Sequence, residues 1–497
     1  MRRKLAIIAI VGIALVCCGT TSAQDDVLTL PPVRLARTGQ PDKSAEPGEG
    51  KDRGKKSKGD APDEGEAKPK GKDDEPDKKD DKAGDLWPEW LSAHAQGTVV
   101  SQGNWKFRSP YEGSKSLLPI LNQRTTETAT IYFDAKFWDG ADAVFNPEVS
   151  GGRGLSGTTG MAGFPNGEAT RVGHPEPTPY VARAFFRQTI GLGGGQEDVE
   201  EGPNQLAGKR DVNRFTFRAG KFAATDVFDD NSYSHDPRTQ FLNWSLMANG
   251  AWDYPANTRG YTYGFALEFI QKDWAWRYGA FGEPTEANGS EIDPKFLKAN
   301  GQAMEVELRF TADDRPGKLR LLAYLNNAHM GSYRDAILFS NGSTPDITST
   351  RAYRMKYGFG LNFEQELNDD VGAFARAGWN DGATETWAFT EIDRTASIGF
   401  LCKGTSWARP DDRVGLAVVF NGLSGEHRNY LGGGGVGFIV GDGALKYGYE
   451  QIVETFYSVH VRQGIIVTLD FQGVNNPAYN RDRGPVAIAA IRAHFEY

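Results

Sequence analysis

Three groups of residues in this chain of 497 amino acids have types that could carry covalent or cofactor chemistry. Ser234 stands beside His235, as a hydrolase nucleophile stands beside its base. Neighbouring residues on a strand point to opposite sides, however, and no GxSxG elbow exists to present a serine. Residues 432–437, "GGGGVG", satisfy GxGxxG. A dinucleotide site needs a helix directly after that pattern; here the flanking runs read as strands, which makes it a glycine-rich loop. The histidines at 94, 174, 235, 329, 427, 460 and 494 show neither HExxH nor a paired metal spacing, so each reads as a lining or surface residue. The expectation is a protein without catalysis, metal or cofactor.

The stretch 235–261, "HDPRTQFLNWSLMANGAWDYPANTRGY", is different. It follows neither a helical nor a strand period, yet it concentrates Asp236, Arg238, Trp244, Trp252, a second arginine and several amides. Irregular backbone with so many polar and aromatic side chains needs elements around it that give it a reason.

The N-terminus "MRRKLAIIAIVGIALVCCGTTSA" has a basic start, an apolar core from Leu5 to Val16 and small residues before Gln24. It reads as a secretory signal over 1–23. The rival, a lipoprotein signal, wants a small residue before its cysteine and leucine three before; neither Cys17 nor Cys18 meets both conditions. The apolar core is short for a membrane-spanning helix. Removing the signal leaves Cys402 alone, so an exported fold of this size must be stabilised by something other than a disulfide within the chain. Within residues 24–85, the stretch "GEGKDRGKKSKGDAPDEGEAKPKGKDDEPDKKDDKAGD" is Lys, Asp, Glu, Gly and Pro with no aromatic and almost no aliphatic side chain. Such a segment cannot bury enough surface to offset its ordering entropy and is expected to be a disordered linker, either a tether reaching peptidoglycan or a solvated spacer. Its mixed charge signs, and a net charge of -9 for the chain, give no support to nucleic-acid binding.

From residue 86 onward, period-two alternation recurs between turn signals. In "TATIYFDAKFW", Ala129, Ile131, Phe133, Ala135 and Phe137 oppose Thr130, Tyr132, Asp134 and Lys136. In "MKYGFGLNFE", Met355, Tyr357, Phe359, Leu361 and Phe363 oppose Lys356, Asn362 and Glu364. A sandwich would also alternate, but it turns its polar faces to bulk water. A membrane barrel turns apolar faces to lipid and charged faces to a lumen. Charge of both signs on the polar faces, tight connections alternating with long glycine-rich ones, and the ending "AIAAIRAHFEY" favour the barrel in a bacterial outer membrane. About sixteen runs can be counted, starting near residues 97, 126, 141, 180, 213, 260, 273, 302, 318, 354, 371, 391, 413, 446, 465 and 485; an even number suits closure. The fold class is therefore an all-β transmembrane antiparallel β-barrel over 86–497. Because a charge facing lipid costs about 2–4 kcal/mol at mid-membrane, Asp134, Lys136, Arg183, Arg187, Arg214, Arg218, Glu305, Glu307, Arg309, Arg376, Glu454 and Arg462 are placed on the lumen face.

Several segments, in order along residues 95–497, resemble the carbohydrate-selective porin family. They are "SPYEGSKSLLP" at Ser109, "GLSGTTGMAGFPNGEA" at Gly154, "GKFAATDVFDDNSYSHDPRTQFLNWSLMANGAWDYPANTRGYTYGFALE" at Gly220, "FLCKGTSWARPDDRVGLA" at Phe400, "HRNYLGGGG" at His427 and "NNPAYNRDRGP" at Asn475. The resemblance implies a sixteen-stranded outer-membrane channel, surrounded by lipid, that passes small sugars by diffusion, as a monomer or a trimer. It gives the stretch 235–261 a setting, as a loop folded inward to narrow the pore, with Asp236, Arg238, Trp244 and Trp252 as candidates for sugar contact. Arginine can hold adjacent hydroxyls with its planar fork, and an indole offers a flat face to the C–H side of a pyranose. The alternatives are a general or anion-selective porin, suggested by Arg183, Arg187, Arg214 and Arg218, and a plugged barrel that binds surface polysaccharide.

Overall fold

The computed structural model describes residues 87–171 and 175–497. The expected signal (1–23), the charged linker (24–85) and His174 lie outside the described residues. The described chain forms a closed barrel of sixteen antiparallel strands. In chain order these begin with β1 (Leu91–Asn104), β2 (Asn122–Trp138), β3 (Ala141–Gly152) and β4 (Thr178–Gly191). A small separate hairpin of β5 (Gln196–Val199) and β6 (Gly208–Asp211) interrupts the wall. The wall resumes with β7 (Arg214–Phe222), β8 (Thr262–Ile270), β9 (Trp274–Gly282), β10 (Asn300–Ala312), β11 (Arg315–Ala328) and β12 (Arg354–Glu366). It ends with β13 (Val371–Asn380), β14 (Arg394–Gly404), β15 (Arg409–Gly422), β16 (Glu450–Arg462), β17 (Ile465–Asn475) and β18 (Val486–Glu496). β1 closes on β18 in the register Gln96↔Glu496 to Asn104↔Ile488. The sixteen expected runs all correspond to wall strands, and the largest departure is β1, expected near Gly97 and starting at Leu91.

The alternation has the physical meaning that the sequence suggested. On β12, Met355, Tyr357, Phe359 and Leu361 are exposed on the outer face, while Lys356, Asn362 and Glu364 are buried inside. What buries them is protein. The connection 223–261 folds into the barrel, and its apolar side chains pack on inward wall residues: Phe241 lies 5.5 Å from Phe374 and 5.0 Å from Phe456, and Phe228 lies 6.1 Å from Phe281 (ring centroids). The hydrophobic core of this barrel is therefore inside it, between loop and wall. Two wall glycines permit the close approach. A Cβ on Gly372 would sit 1.9 Å from the Tyr233 ring, and one on Gly378 would sit 2.1 Å from the Asn249 side chain.

The lipid-facing assignment predicts a specific cost. Leu361→Arg should destabilise the folded barrel by about 2–4 kcal/mol, read from denaturant titrations in lipid vesicles.

Candidate functional site

The inward loop is held against one side of the barrel by wall side chains that bond its backbone. Glu454 accepts from the amides of Leu242 and Asn243, at 2.6 and 3.0 Å. Arg376 donates to the carbonyls of Leu246 and Asp229, at 2.8 and 3.1 Å. Glu364 accepts from the amide of Ser232 at 2.9 Å, and Glu305 from that of Asp229 at 2.8 Å. Backbone that leaves the barrel wall must be satisfied by protein or water, and β10 to β17 provide protein. The open passage remains on the other side, against β1 to β4.

That passage is a cavity of about 820 Å³. Two arginines cross it. Arg183 on β4 makes a two-pronged pair with Asp226 (Nε–Oδ2 2.7 Å, Nη2–Oδ1 2.6 Å), and its guanidinium lies 5.2 Å from the centre of the Tyr261 ring. Arg238 on the loop donates to Glu148 at 3.0 Å, Glu168 at 3.1 Å and the Tyr132 hydroxyl at 3.0 Å. Its backbone amide bonds Asp236 at 2.9 Å, which fixes the start of the turn. Glu148 also accepts from Thr130 at 2.5 Å and from the Tyr180 hydroxyl. Burial opposes charge on both loop groups, but their partners outweigh it: Arg183 holds the Asp226 carboxyl below the usual carboxylate range, and Glu168, Tyr132 and Glu148 push Arg238 up. Both stay ionised at any working pH.

Aromatic faces alternate with these charges. Trp244 is capped into place by Asn243, donates its indole N–H to the carbonyl of Asn166 at 2.8 Å and stacks on Phe389 at 5.7 Å. Tyr254 lies 4.4 Å from the same Phe389 ring. Arg259 stacks on Tyr180 with its Cζ 3.9 Å from the ring centre, and among the described residues it has no ion pair. Arg259, Glu148, Tyr180 and Tyr261 were not singled out in the sequence. The only local signal is the second arginine and terminal tyrosine of the 235–261 stretch; Glu148 follows Pro147, outside any clean alternation.

Of the expected site residues, Asp236, Arg238, Trp244 and Arg183 line the cavity. Trp252 does not: it is 1% exposed and packed edge-on against Phe228 at 6.2 Å, so no face is free for a solute. Glu454, Arg376 and Glu305 are used to hold the loop, as above. Glu305 and Glu307 also share Arg277 (3.0 and 3.2 Å), while Arg320 and Arg309 close on Glu307 (2.8 and 2.7 Å). These charges face inward as expected, but they meet one another. Arg187 is closed on Asp142 and Asp134, Arg214 is paired with Glu197 at 3.0 Å, and Arg218 lies 4.8 Å from the Phe185 ring and 5.5 Å from that of Phe222. Lys136 and Arg462 are exposed at the turn ends of β2 and β16, beside register shifts in the pairing with the next strand. There the strand alternation runs out and no longer directs a side chain to the lumen.

A closed barrel with apolar side chains outside, and a polar lumen narrowed by an inward loop, is the architecture of an outer-membrane porin. Residues 134–497 match the model of the carbohydrate-selective porin, OprB family, and the chain belongs to that family. Porin AaxA of Chlamydia abortus is 22% identical over 313 residues, which cover 62% of this chain and 60% of that protein. The chain thus spans about three fifths of the length of that relative. The high-pH structure of Pseudomonas putida OprB superposes with a TM-score of 0.64 at 16% identity, covering 82% of this chain and 94% of that one, a likeness of fold.

Arg238 joins the loop to the wall through Glu148 on β3 and to the 153–177 connection through Glu168. Arg238→Ala should destabilise the folded protein by about 3 kcal/mol, since it leaves Glu148 and Glu168 without their cation. It should also raise single-channel conductance and move the reversal potential toward cation preference. An unchanged conductance would mean that the loop is held without this residue.

Proposed function

We propose that the chain is a non-enzymatic channel through which small neutral sugars diffuse down their gradient across the outer membrane. The observation that carries this reading is the pairing in the passage. Arg183 and Arg238 are each matched by carboxylates at hydrogen-bond distance, with the Tyr261 and Trp244 rings among the same lining groups. A lumen of matched charges exerts little net pull on an ion, yet it offers donors and acceptors to hydroxyls and flat faces to C–H surfaces. The outer apolar side chains contact lipid, and the segment 24–85 serves as a tether to peptidoglycan or as a spacer.

One observation favours the second reading, an anion-preferring pore: Arg259 stands on Tyr180 without a carboxylate among the described residues. In the sugar reading, the same guanidinium is the group with donors to offer.

Two measurements separate them. Liposome swelling with a panel of mono- and disaccharides should show uptake, and planar-bilayer currents should be blocked by sugar with weak ion selectivity. Arg259→Gln should weaken that block about tenfold, the worth of a charged hydrogen bond, with the barrel still folded. Strong anion selectivity without sugar block would overturn the sugar reading.

A further inference from the structure

The connection between β4 and β7 breaks the pattern at the turn end of the barrel. It spans residues 192–213, where the other connections at this end run from two residues (139–140) to four (367–370). Two neighbouring antiparallel strands need only a two-residue turn, and loops of this length in a compact domain are usually functional. This one is also well fastened. β5 and β6 pair from Gln196↔Asp211 to Val199↔Gly208. At the base, Arg214 donates to Glu197 at 3.0 Å, and the amide of Gly193 to Asp211 at 2.7 Å.

Beyond β5 the tip turns back to the barrel mouth. Gly202 and Gln205 exchange backbone hydrogen bonds of 3.0 Å in both directions, closing a tight turn. Next to it, Ser92 Oγ donates to Glu201 Oε1 at 2.9 Å, and His94 Nε2 lies 3.4 Å from the same oxygen. Arg187, already closed on two wall aspartates, donates to the carbonyl of Asn204 at 3.1 Å. Asn204 takes a left-handed φ of 60° at that point. Glu201, Gly202, Pro203 and Asn204 thereby become part of the lining of the cavity that holds Arg238 and Arg259. The Glu201 side chain stays 46% exposed while it lines that cavity.

We propose that the tip Glu201–Asn204, clipped to Ser92, His94 and Arg187, is a second constriction at the turn end of the channel, which limits solute size on the way out and gives that end a cation preference. The proposal rests on the channel reading. Solutes meet the arginine and tyrosine groups first and this acidic tip afterwards. The first constriction comes from a loop at the opposite end of the barrel, so the two are built independently.

The test replaces residues 200–207 by Asn-Gly, which closes β5 on β6 with a two-residue turn and leaves the small sheet intact. The shortened protein should fold, show single-channel conductance raised about twofold and admit larger polyethylene glycols, with the affinity of sugar block unchanged. Glu201→Gln in the full chain should keep conductance and shift the reversal potential toward anions. A folded, shortened barrel with wild-type conductance and polymer cut-off would overturn the proposal. If shortening prevents folding, Glu201→Gln decides: an unmoved reversal potential overturns it. A silent wild type beside a conducting shortened variant would overturn the sugar-channel reading and keep the constriction; silence from both would overturn both.

Discussion

Backbone carried into the interior of a barrel brings N–H and C=O groups that must be bonded there, and the rest of this structure depends on how that requirement is met. The loop 223–261 is too irregular to bond itself as a helix or sheet. Its partners are wall side chains set at strand positions that face inward: Glu454, Arg376, Glu364, Glu305 and Asn362. The dependence is mutual, because the loop that takes those wall groups out of water also supplies hydrogen-bond partners for them once buried. Asp253 shows how far such a chain runs. Its carboxylate sits 3.1 Å from Lys356 on the wall and accepts the amides of Trp387, Ala388 and Phe389, at 2.9, 2.7 and 3.2 Å. That fixes Phe389, against which Trp244 and Tyr254 stand in the passage.

The same requirement sets where the channel runs. Most wall residues that bond the loop backbone come from β10 to β18, while the cavity is lined by β1 to β4, which reach the loop through Arg238 and Asp226. The charges of β9 to β12 are consumed by one another and by the loop: Arg277, Arg309 and Arg320 all meet Glu307. A network of this kind is a way to keep many charges in a narrow interior, since each ion is held by two or three partners and none stands alone. The passage therefore has a charge pattern of its own, made by few residues, and not the sum of all inward charges.

The sequence was readable where one physical rule acts on every residue. Lipid on one face and a polar interior on the other impose a period of two, so all sixteen wall strands could be counted from runs such as 355–363. It was readable in part where the rule is local. The 235–261 stretch looks irregular and polar, and it does fold inward. Which of its indoles meets the passage depends on packing across the barrel: Trp244 lines the cavity, and Trp252, eight positions on, is enclosed by Phe228 and Tyr254. Nor does alternation distinguish Arg183, which meets Asp226 in the passage, from Arg376, which bonds the loop, since both point inward and only distant partners differ. Residues 192–213 are glycine-rich and acidic like many loops. Their signal lies in position, because counting strands from the N-terminus puts this long segment at the end of the barrel where turns are short.

The matched charges of the passage also bear on how a neutral solute can be preferred. Arg183 and Arg238 have their carboxylates at 2.6 to 3.1 Å, so neither gains much by capturing an anion, and neither has to be desolvated from scratch when a solute arrives. A sugar hydroxyl both donates and accepts, so it can bond the remaining edge of a guanidinium and the free lone pair of its carboxylate together, which a simple ion cannot do. The rings add contact that is indifferent to charge. Tyr261 stands under Arg183 and Tyr180 under Arg259, so these two rings are each framed by a planar cation. Stacking orients the guanidinium edge toward the solute without a further ion pair. In the proposed sugar channel, selection for hydroxyl-rich neutral molecules would follow from geometry that leaves polar edges and apolar faces side by side.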